Sequence, residues 1–242
     1  STIIINEPAV LAISDSVIDV KCNGGADGAI YLGVSGGTPF YAYNWLPPGT
    51  GNSMIVTNLT AQTYNVTVTD IKGCTANQSI QVNEPLPLAA TDVSFPSSCG
   101  LNNGSAIVFV TGGTGPYSYM WDNPQNTAND TATGLLARNP YFVNITDANG
   151  CSLIHAVTVI DLPGPVIDSI TVNNLTCNGD GSGSATVNVS GGTSPLTYSW
   201  NDPLTQSSIT ASNLSAGTIS VTVIDDNGCS TTEFTKITQP NP

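Results

Sequence analysis

The sequence is poor in positive charge: only 4 Lys and Arg stand against 17 Asp and Glu in 242 residues, for a formal net charge of -13. A nucleic-acid binder or an anionic-membrane binder needs clustered bases to displace counterions, so both classes are excluded. Histidine occurs once, which leaves little material for a His-dependent triad. No apolar run of 18 residues exists to cross a bilayer as a helix. Long stretches of Ala, Leu, Glu and Lys at helical spacing are missing too. An N-terminal signal peptide is not seen, so the sequence reads as the interior of a mature chain. What the chain does have is Val, Ile and Thr in quantity, punctuated by 24 Gly and 16 Pro. Many short strands joined by tight turns have that composition, and a disordered chain does not.

Self-similarity settles the organisation. The cysteines fall as Cys22 and Cys74, Cys99 and Cys151, Cys177 and Cys229, each pair 52 positions apart. Trp45, Trp121 and Trp200 follow the first cysteine of each pair by 23, 22 and 23 positions. A Gly-Gly-Thr turn recurs at residues 36–38, 112–114 and 191–193. Each second cysteine closes a turn that opens on an aspartate: Asp70 to Cys74, Asp147 to Cys151, Asp225 to Cys229. Four independent features aligned three times define a threefold repeat.

Between these landmarks apolar residues alternate, as in half-buried strands. Ile30, Leu32 and Val34 match Ala106, Val108 and Val110, then Ala185, Val187 and Val189. Tyr64, Val66 and Val68 match Tyr141, Val143 and Ile145, then Ile219, Val221 and Val223. With turn signals every 8 to 12 residues, this predicts an all-β chain of immunoglobulin-like β-sandwiches, each of roughly seven strands. Trp45, Trp121 and Trp200, with Tyr43, Tyr119 and Tyr198 two positions before them, are expected to be the largest core side chains. A sugar-stacking platform is the competing reading of the tryptophans.

Units end on a Pro-containing tail: Asn83-Glu-Pro85, Asp161-Leu-Pro163 and Thr238-Gln-Pro240. Asn6-Glu-Pro8 reads as the tail of a preceding repeat at residues 1–8, followed by repeats at 9–85, 86–164 and 165–242. Short, Pro-rich linkers act as semi-rigid spacers, so an extended rod is expected.

Six cysteines allow 15 connectivities. Repetition favours a self-contained bond in each unit, hence Cys22–Cys74, Cys99–Cys151 and Cys177–Cys229, each stapling one end of its sandwich. A unit of fewer than 80 residues is marginal on its core alone, and a loop of this length contributes about 4 kcal/mol when closed. Even parity points to an oxidising compartment. Zinc is disfavoured because no Cys-x-x-Cys pair exists.

The combined pattern resembles a known family. Cys177-Asn-Gly, Ser190-Gly-Gly-Thr193, Tyr198-Ser-Trp200, Asn213-Leu-Ser215 and Asp225-Asp-Asn-Gly-Cys229 are similar to the SprB-type repeat of large surface adhesins in gliding Bacteroidota. The second unit departs, with Cys99-Gly-Leu, Thr111-Gly-Gly, and Gly134-Leu where the others read Asn-Leu. The resemblance covers essentially the whole chain. It implies an extracellular stalk or filament on the outer-membrane exterior of a Gram-negative cell, exported by the type IX system and used in adhesion and gliding motility.

Three chemistries are weighed against plainer roles. Gly33-Val-Ser35-Gly-Gly37 fits a hydrolase elbow, but that elbow needs a strand-to-helix turn and a histidine, and His155 lies in another unit. The chain is therefore read as no enzyme. Calcium is the one cofactor candidate: its site would bring Asp27 and Asp180, after the first cysteines, together with Asp70 and Asp225 across the disulfide. Turn capping explains the same aspartates without metal. Asp15-Ser16-Val17, Asp130-Thr131-Ala132 and Asp168-Ser169-Ile170 resemble Bacteroidota O-glycosylation sites, which makes Ser16, Thr131 and Ser169 candidate acceptors. Expected partners are neighbouring repeats of a long chain, with surface polysaccharide or another surface protein beyond them. A carbohydrate-binding accessory module of a secreted enzyme is the alternative function, and a fibre subunit a third.

Overall fold

A computed structural model describes residues 7–47 and 50–241. Residues 1–6, most of the expected tail of a preceding repeat, lie outside the described residues. The chain is all-β; no helix is formed among the described residues. Each repeat folds as two three-stranded sheets.

In the first repeat the strands are β1 (Ala12–Ile18), β2 (Gly28–Ser35), β3 (Tyr41–Leu46), β4 (Ile55–Leu59), β5 (Gln62–Asp70) and β6 (Thr75–Val82). One sheet has the order β1-β2-β4 and the other β3-β5-β6. This is the immunoglobulin arrangement with one edge strand fewer, because β3 connects to β4 with no strand between them. The expectation of roughly seven strands is therefore corrected to six.

The second repeat adds β7 (Ala89–Phe95), β8 (Ser97–Ser98), β9 (Gly104–Thr111), β10 (Ser118–Trp121), β11 (Thr131–Leu135), β12 (Arg138–Thr146), β13 (Ser152–Val159) and β14 (Asp161–Leu162). Its sheets are β7-β9-β11 and β10-β12-β13, with a short parallel pair β8-β14. The third has β15 (Pro165–Asn173), β16 (Gly183–Gly191), β17 (Thr197–Trp200), β18 (Thr210–Leu214), β19 (Gly217–Ile224) and β20 (Ser230–Ile237), in sheets β15-β16-β18 and β17-β19-β20.

The chain divides into two compact units. One holds residues 1–91, 109–119 and 144–155; the other holds 92–108, 120–143 and 156–242. The first unit thus carries repeat 1 with the Cys151 turn, and the second carries repeat 3 with the Cys99 loop.

Alternation puts one face of each strand inside. Ile30, Leu32, Val66 and Val68 are buried in the repeat 1 core with Trp45. Val187, Val221 and Val223 are buried with Trp200 in repeat 3. Every indole N–H donates to a backbone carbonyl eight residues on: Trp45 to Ser53, Trp121 to Asn129, Trp200 to Ser208, at 2.9–3.0 Å. That bond ties the loop between the two sheets to the core. With their faces buried, these rings offer no surface on which a sugar could stack.

Tyr43 and Tyr198 are only half-buried and pack at the margin of their cores, and Tyr119 is half-buried as well. The expectation that they fill the core is corrected. Tyr64 and Tyr141 are the buried tyrosines. Their hydroxyls donate to the carbonyls of Thr60 and Leu136, the tyrosine corner of immunoglobulin-like folds.

The departure of the second repeat from Asn-Leu has a backbone cause. Asn58, Gly134 and Asn213 all take the left-handed conformation, with φ of 59°, 66° and 55°. Glycine and asparagine are the residues that adopt it readily.

The cysteine pairing differs from expectation. Cys22 is bonded to Cys151 and Cys99 to Cys229, while Cys74 and Cys177 are free and exposed. The within-unit pairs Cys22–Cys74, Cys99–Cys151 and Cys177–Cys229 are corrected accordingly. The cause is strand direction. Cys22 lies in the loop before β2, where Val20 N donates to Asn83 O at the end of β6. Cys74 lies beyond Asp70, which pairs with Tyr41 and meets the Gly-Gly turn after β2. The eight residues of β2 therefore separate the two cysteines, roughly 25 Å at strand rise, whereas a disulfide spans a Cα separation of about 4.4–6.8 Å.

Candidate functional site

The recurrent constellations sit at the two ends of each sandwich. At one end, which we term the entry end, an aspartate caps the cysteine turn. The Asp70 carboxylate accepts from the backbone N–H groups of Lys72, Cys74 and Thr38 at 2.8–2.9 Å. Asp147 does the same with Asn149, Cys151 and Thr114, and Asp225 with Asn227, Cys229 and Thr193. The threonine of Gly-Gly-Thr thus hands its N–H to the aspartate before the second cysteine, binding two distant turns into one platform.

Gly36 shows why glycine precedes that threonine. It has φ 71°, and a Cβ there would lie 2.0 Å from the carbonyl oxygen of Val10 on the incoming segment. Gly112 stands in the same relation to the Pro87 carbonyl, at 1.9 Å. The incoming segment is held by Gly37 N donating to Ala9 O, and by Gly113 N donating to Leu86 O.

The opposite, exit end is built around the loop of the first cysteine. Gly24 N donates to Glu84 Oε2 and Asn23 Nδ2 to Pro85 O. The third repeat copies this, with Gly179 N to Gln239 Oε1 and Asn178 Nδ2 to Pro240 O. In the second, Gly100 N donates to Asp161 Oδ1.

Within the first unit an exit end meets an entry end. Cys22 and Cys151 are bonded with Cα atoms 5.7 Å apart, and Asn149 Nδ2 donates to Lys21 O at 3.0 Å. Asp19, Val20, Lys21, Asn83, Glu84 and Pro85 line a cleft there with Thr114 and Asn149. Within the second unit Cys99 and Cys229 are bonded with Cα atoms 5.3 Å apart. Gly164 packs on Cys229 so closely that a Cβ would lie 2.8 Å from the cysteine Cβ. At equivalent positions Cys74 is exposed, Cys151 half-buried and Cys229 buried.

The calcium candidates are not brought together. Asp27 accepts from Lys21 N at the exit end, whereas Asp70 is at the entry end of the same sandwich. Asp180 accepts from Cys177 N, Ser182 N and the hydroxyls of Thr176 and Ser182, and Asp225 again lies at the other end. The convergence across a within-repeat disulfide is corrected with the disulfide itself. Among the described residues no group of three or more His, Cys, Asp or Glu could hold a metal ion.

Hydrogen bonding depresses these carboxyls. Asp70 and Asp225 lie below the ordinary value of 3.8 chiefly through the N–H groups of Thr38 and Thr193. For Asp147 burial works upward, and the N–H groups of Thr114, Cys151 and Asn149 outweigh it. Asp180 is lowered furthest, first by the Thr176 hydroxyl and then by Ser182.

Ser35 ends β2 and leads into a glycine turn, not a helix, so Gly33–Gly37 lacks the strand-to-helix geometry of a nucleophile elbow. His155 is half-buried on β13. Of the candidate glycan acceptors, Ser16 on β1 and Ser169 on β15 are exposed. Thr131 on β11 is half-buried, its hydroxyl donating to Asp130.

The SprB repeat model matches residues 14–50, 91–126 and 169–205, once in each repeat. No curated protein sequence matches the chain. Among solved structures, the chain is similar to "Sidekick-1 immunoglobulin domains 1-5" at 10% identity and TM-score 0.44, covering 98% of this chain and 60% of that one. It is also similar to the structure titled "Structural insight into host cell surface retention of a 1.5-MDa bacterial ice-binding adhesin", at 15% identity and TM-score 0.47, covering 96% and 98%. A third is "Crystal structure of the S-layer protein rSbsC(31-844)", at 14% identity and TM-score 0.30, covering 98% and 41%.

Proposed function

We propose that this chain, which carries three SprB-type repeats, is a spacer segment of a secreted cell-surface adhesin and not an enzyme. The modules of that spacer are residues 9–85, 86–164 and 165–242, joined in tandem. The observation that carries the reading is the bonding of successive repeats, Cys22 to Cys151 and Cys99 to Cys229. A bond between repeats restrains the hinge between them, which a self-contained bond would leave free. Disulfides of either kind belong to an oxidising compartment, and four bases against 17 acids keep the surface away from nucleic acid. Adhesion and gliding on the outer-membrane exterior, after type IX export, is the setting that the family resemblance supports. Surface polysaccharide is proposed as a partner of the adhesin outside this spacer segment, and O-glycans are proposed at exposed Ser16 and Ser169 of the segment itself.

Single-molecule pulling between the termini tests the spacer reading. With both disulfides intact, the shortest covalent path from Cys22 to Cys229 runs back through the 52 positions between Cys151 and Cys99, about 180 Å fully extended. After reduction the same span should extend to about 700 Å. Equal extension before and after reduction contradicts the reading. A glycan array separates the alternative: a spacer leaves it blank, and retention of a defined saccharide indicates a carbohydrate-binding module.

A further inference from the structure

Two cysteines are unbonded, and they are not equivalent. Cys74 is a second cysteine at an entry end, and Cys177 is a first cysteine at an exit end. Each of the two bonds formed joins the first cysteine of one repeat to the second cysteine of the next. Cys74 and Cys177 are therefore the two complementary halves of the same junction.

Both halves are already built. The Cys177 loop carries the bonds of the bonded Cys22 loop, Asn178 to Pro240 and Gly179 to Gln239 against Asn23 to Pro85 and Gly24 to Glu84. The Cys74 turn carries the aspartate cap of the bonded Cys151 and Cys229 turns. Exposure falls from Cys74 to Cys151 and Cys229 as a neighbouring repeat covers the turn. Beside Cys74, an open cleft is lined by Glu7, Pro8, Ala9, Val10, Gly37 and Asp70.

We infer that Cys74 and Cys177 are docking cysteines for further repeats of the same type joined in tandem: Cys177 bonds the second cysteine of a following repeat, and Cys74 the first cysteine of a preceding one. This inference goes beyond the spacer reading and stands on the junction geometry alone. The chemistry balances with a small-molecule disulfide such as oxidised glutathione. One protein thiolate attacks it, giving a mixed disulfide and releasing one glutathione thiolate. The partner cysteine then displaces the second glutathione, so two protein thiols are oxidised as one glutathione disulfide is reduced.

The test extends the chain. Residues 1–240 are followed in frame by a second copy of residues 164–242, so that the added repeat follows Pro240 as repeat 3 follows Pro163. After oxidation with glutathione disulfide, unreacted thiols are alkylated and peptides are mapped without reduction. The expected result is a third bond, from Cys177 to the added copy of Cys229, with Cys74 and the added copy of Cys177 alkylated. Replacing the added copy of Cys229 by serine should return Cys177 to the alkylated pool while both original bonds persist. An alkylated Cys177 in the extended chain overturns the inference, as does a bond from Cys177 to the added Cys177. Disulfide-linked dimers through Cys74 and Cys177 of separate chains, in place of the third bond, also overturn it.

Discussion

Cys22 and Cys151 stand 129 positions apart in sequence and 5.7 Å apart at Cα, joined by a disulfide, while Cys74 of the same repeat as Cys22 remains free. Sequence distance is a poor guide here because direction along the sandwich decides which cysteines meet. Because β3 and β4 both run toward the exit end, six strands take the chain in at one end of the sandwich and let it out at the other. The first cysteine, before β2, is left at the exit end and the second, after β5, at the entry end.

Serine replacement should divide the cysteines into two classes. Cys22→Ser and Cys151→Ser should each cost about 4–5 kcal/mol, from the loop closed by a bond of this separation, and the double variant no more than either single. Cys74→Ser and Cys177→Ser should stay within about 0.5 kcal/mol, since both are exposed and unbonded. Denaturant midpoints of the oxidised proteins check this; a large loss at Cys74 would place a bond there.

Gly134 occupies the left-handed position that asparagine fills in the other repeats, at φ 66° against 59° and 55°. Gly134→Asn should be close to neutral. Gly134→Val should cost about 1–2 kcal/mol or more, because a branched Cβ resists that conformation. Equal thermal midpoints for the two variants would refute the backbone explanation.

Trp200 is 2% exposed and donates its indole N–H to Ser208 O. Trp200→Ala should cost about 3–5 kcal/mol, whereas Phe234→Ala, at a side chain 65% exposed, should fall within about 0.5 kcal/mol. Urea unfolding followed by circular dichroism compares them. Similar losses would mean that the ring is not a core group.

Much of this fold was legible in the sequence because each repeat states its strands by alternation, as Val66 and Val68 or Val221 and Val223 do. The all-β class and the repeats themselves followed from that pattern. The third dimension of the ends did not. Gly-Gly-Thr and Asp-x-x-Gly-Cys read as separate turns, and nothing local says that Thr38 N lands on Asp70. Once that bond is known, Cys74 is fixed at the entry end and the equal 52-position spacing takes on its meaning. It covers the four strands β2 to β5, which carry the chain from the exit end to the entry end of one sandwich. The same bond places Asp27 and Asp70 at opposite ends, which removes a shared cation site. The tyrosines were misplaced by one strand: Tyr43 faces the margin of the core, while Tyr64 turns inward to cap the carbonyl of Thr60.

Acid should loosen the chain in a defined window. Asp70, Asp147, Asp180 and Asp225 all have folded-state values below 3.8, as does buried Asp202 after β17, where burial works upward and hydrogen bonds from Gln206 and the Leu204 N–H outweigh it. A depressed carboxyl stabilises the fold above its unfolded value, near pH 4, and that contribution is lost as pH falls toward the folded value. Urea midpoints should therefore be level from pH 7 to about 5 and fall steadily below about 4. Asp225→Asn should flatten part of the fall, and a midpoint that rises in acid would contradict the capping role.

The account depends on which sulfurs are joined, and mapping peptides of the oxidised, alkylated chain without reduction reads that directly. It should yield two linked pairs, Cys22 with Cys151 and Cys99 with Cys229, and alkyl groups on Cys74 and Cys177. Three linked pairs confined to single repeats, Cys22 with Cys74, Cys99 with Cys151 and Cys177 with Cys229, would contradict it.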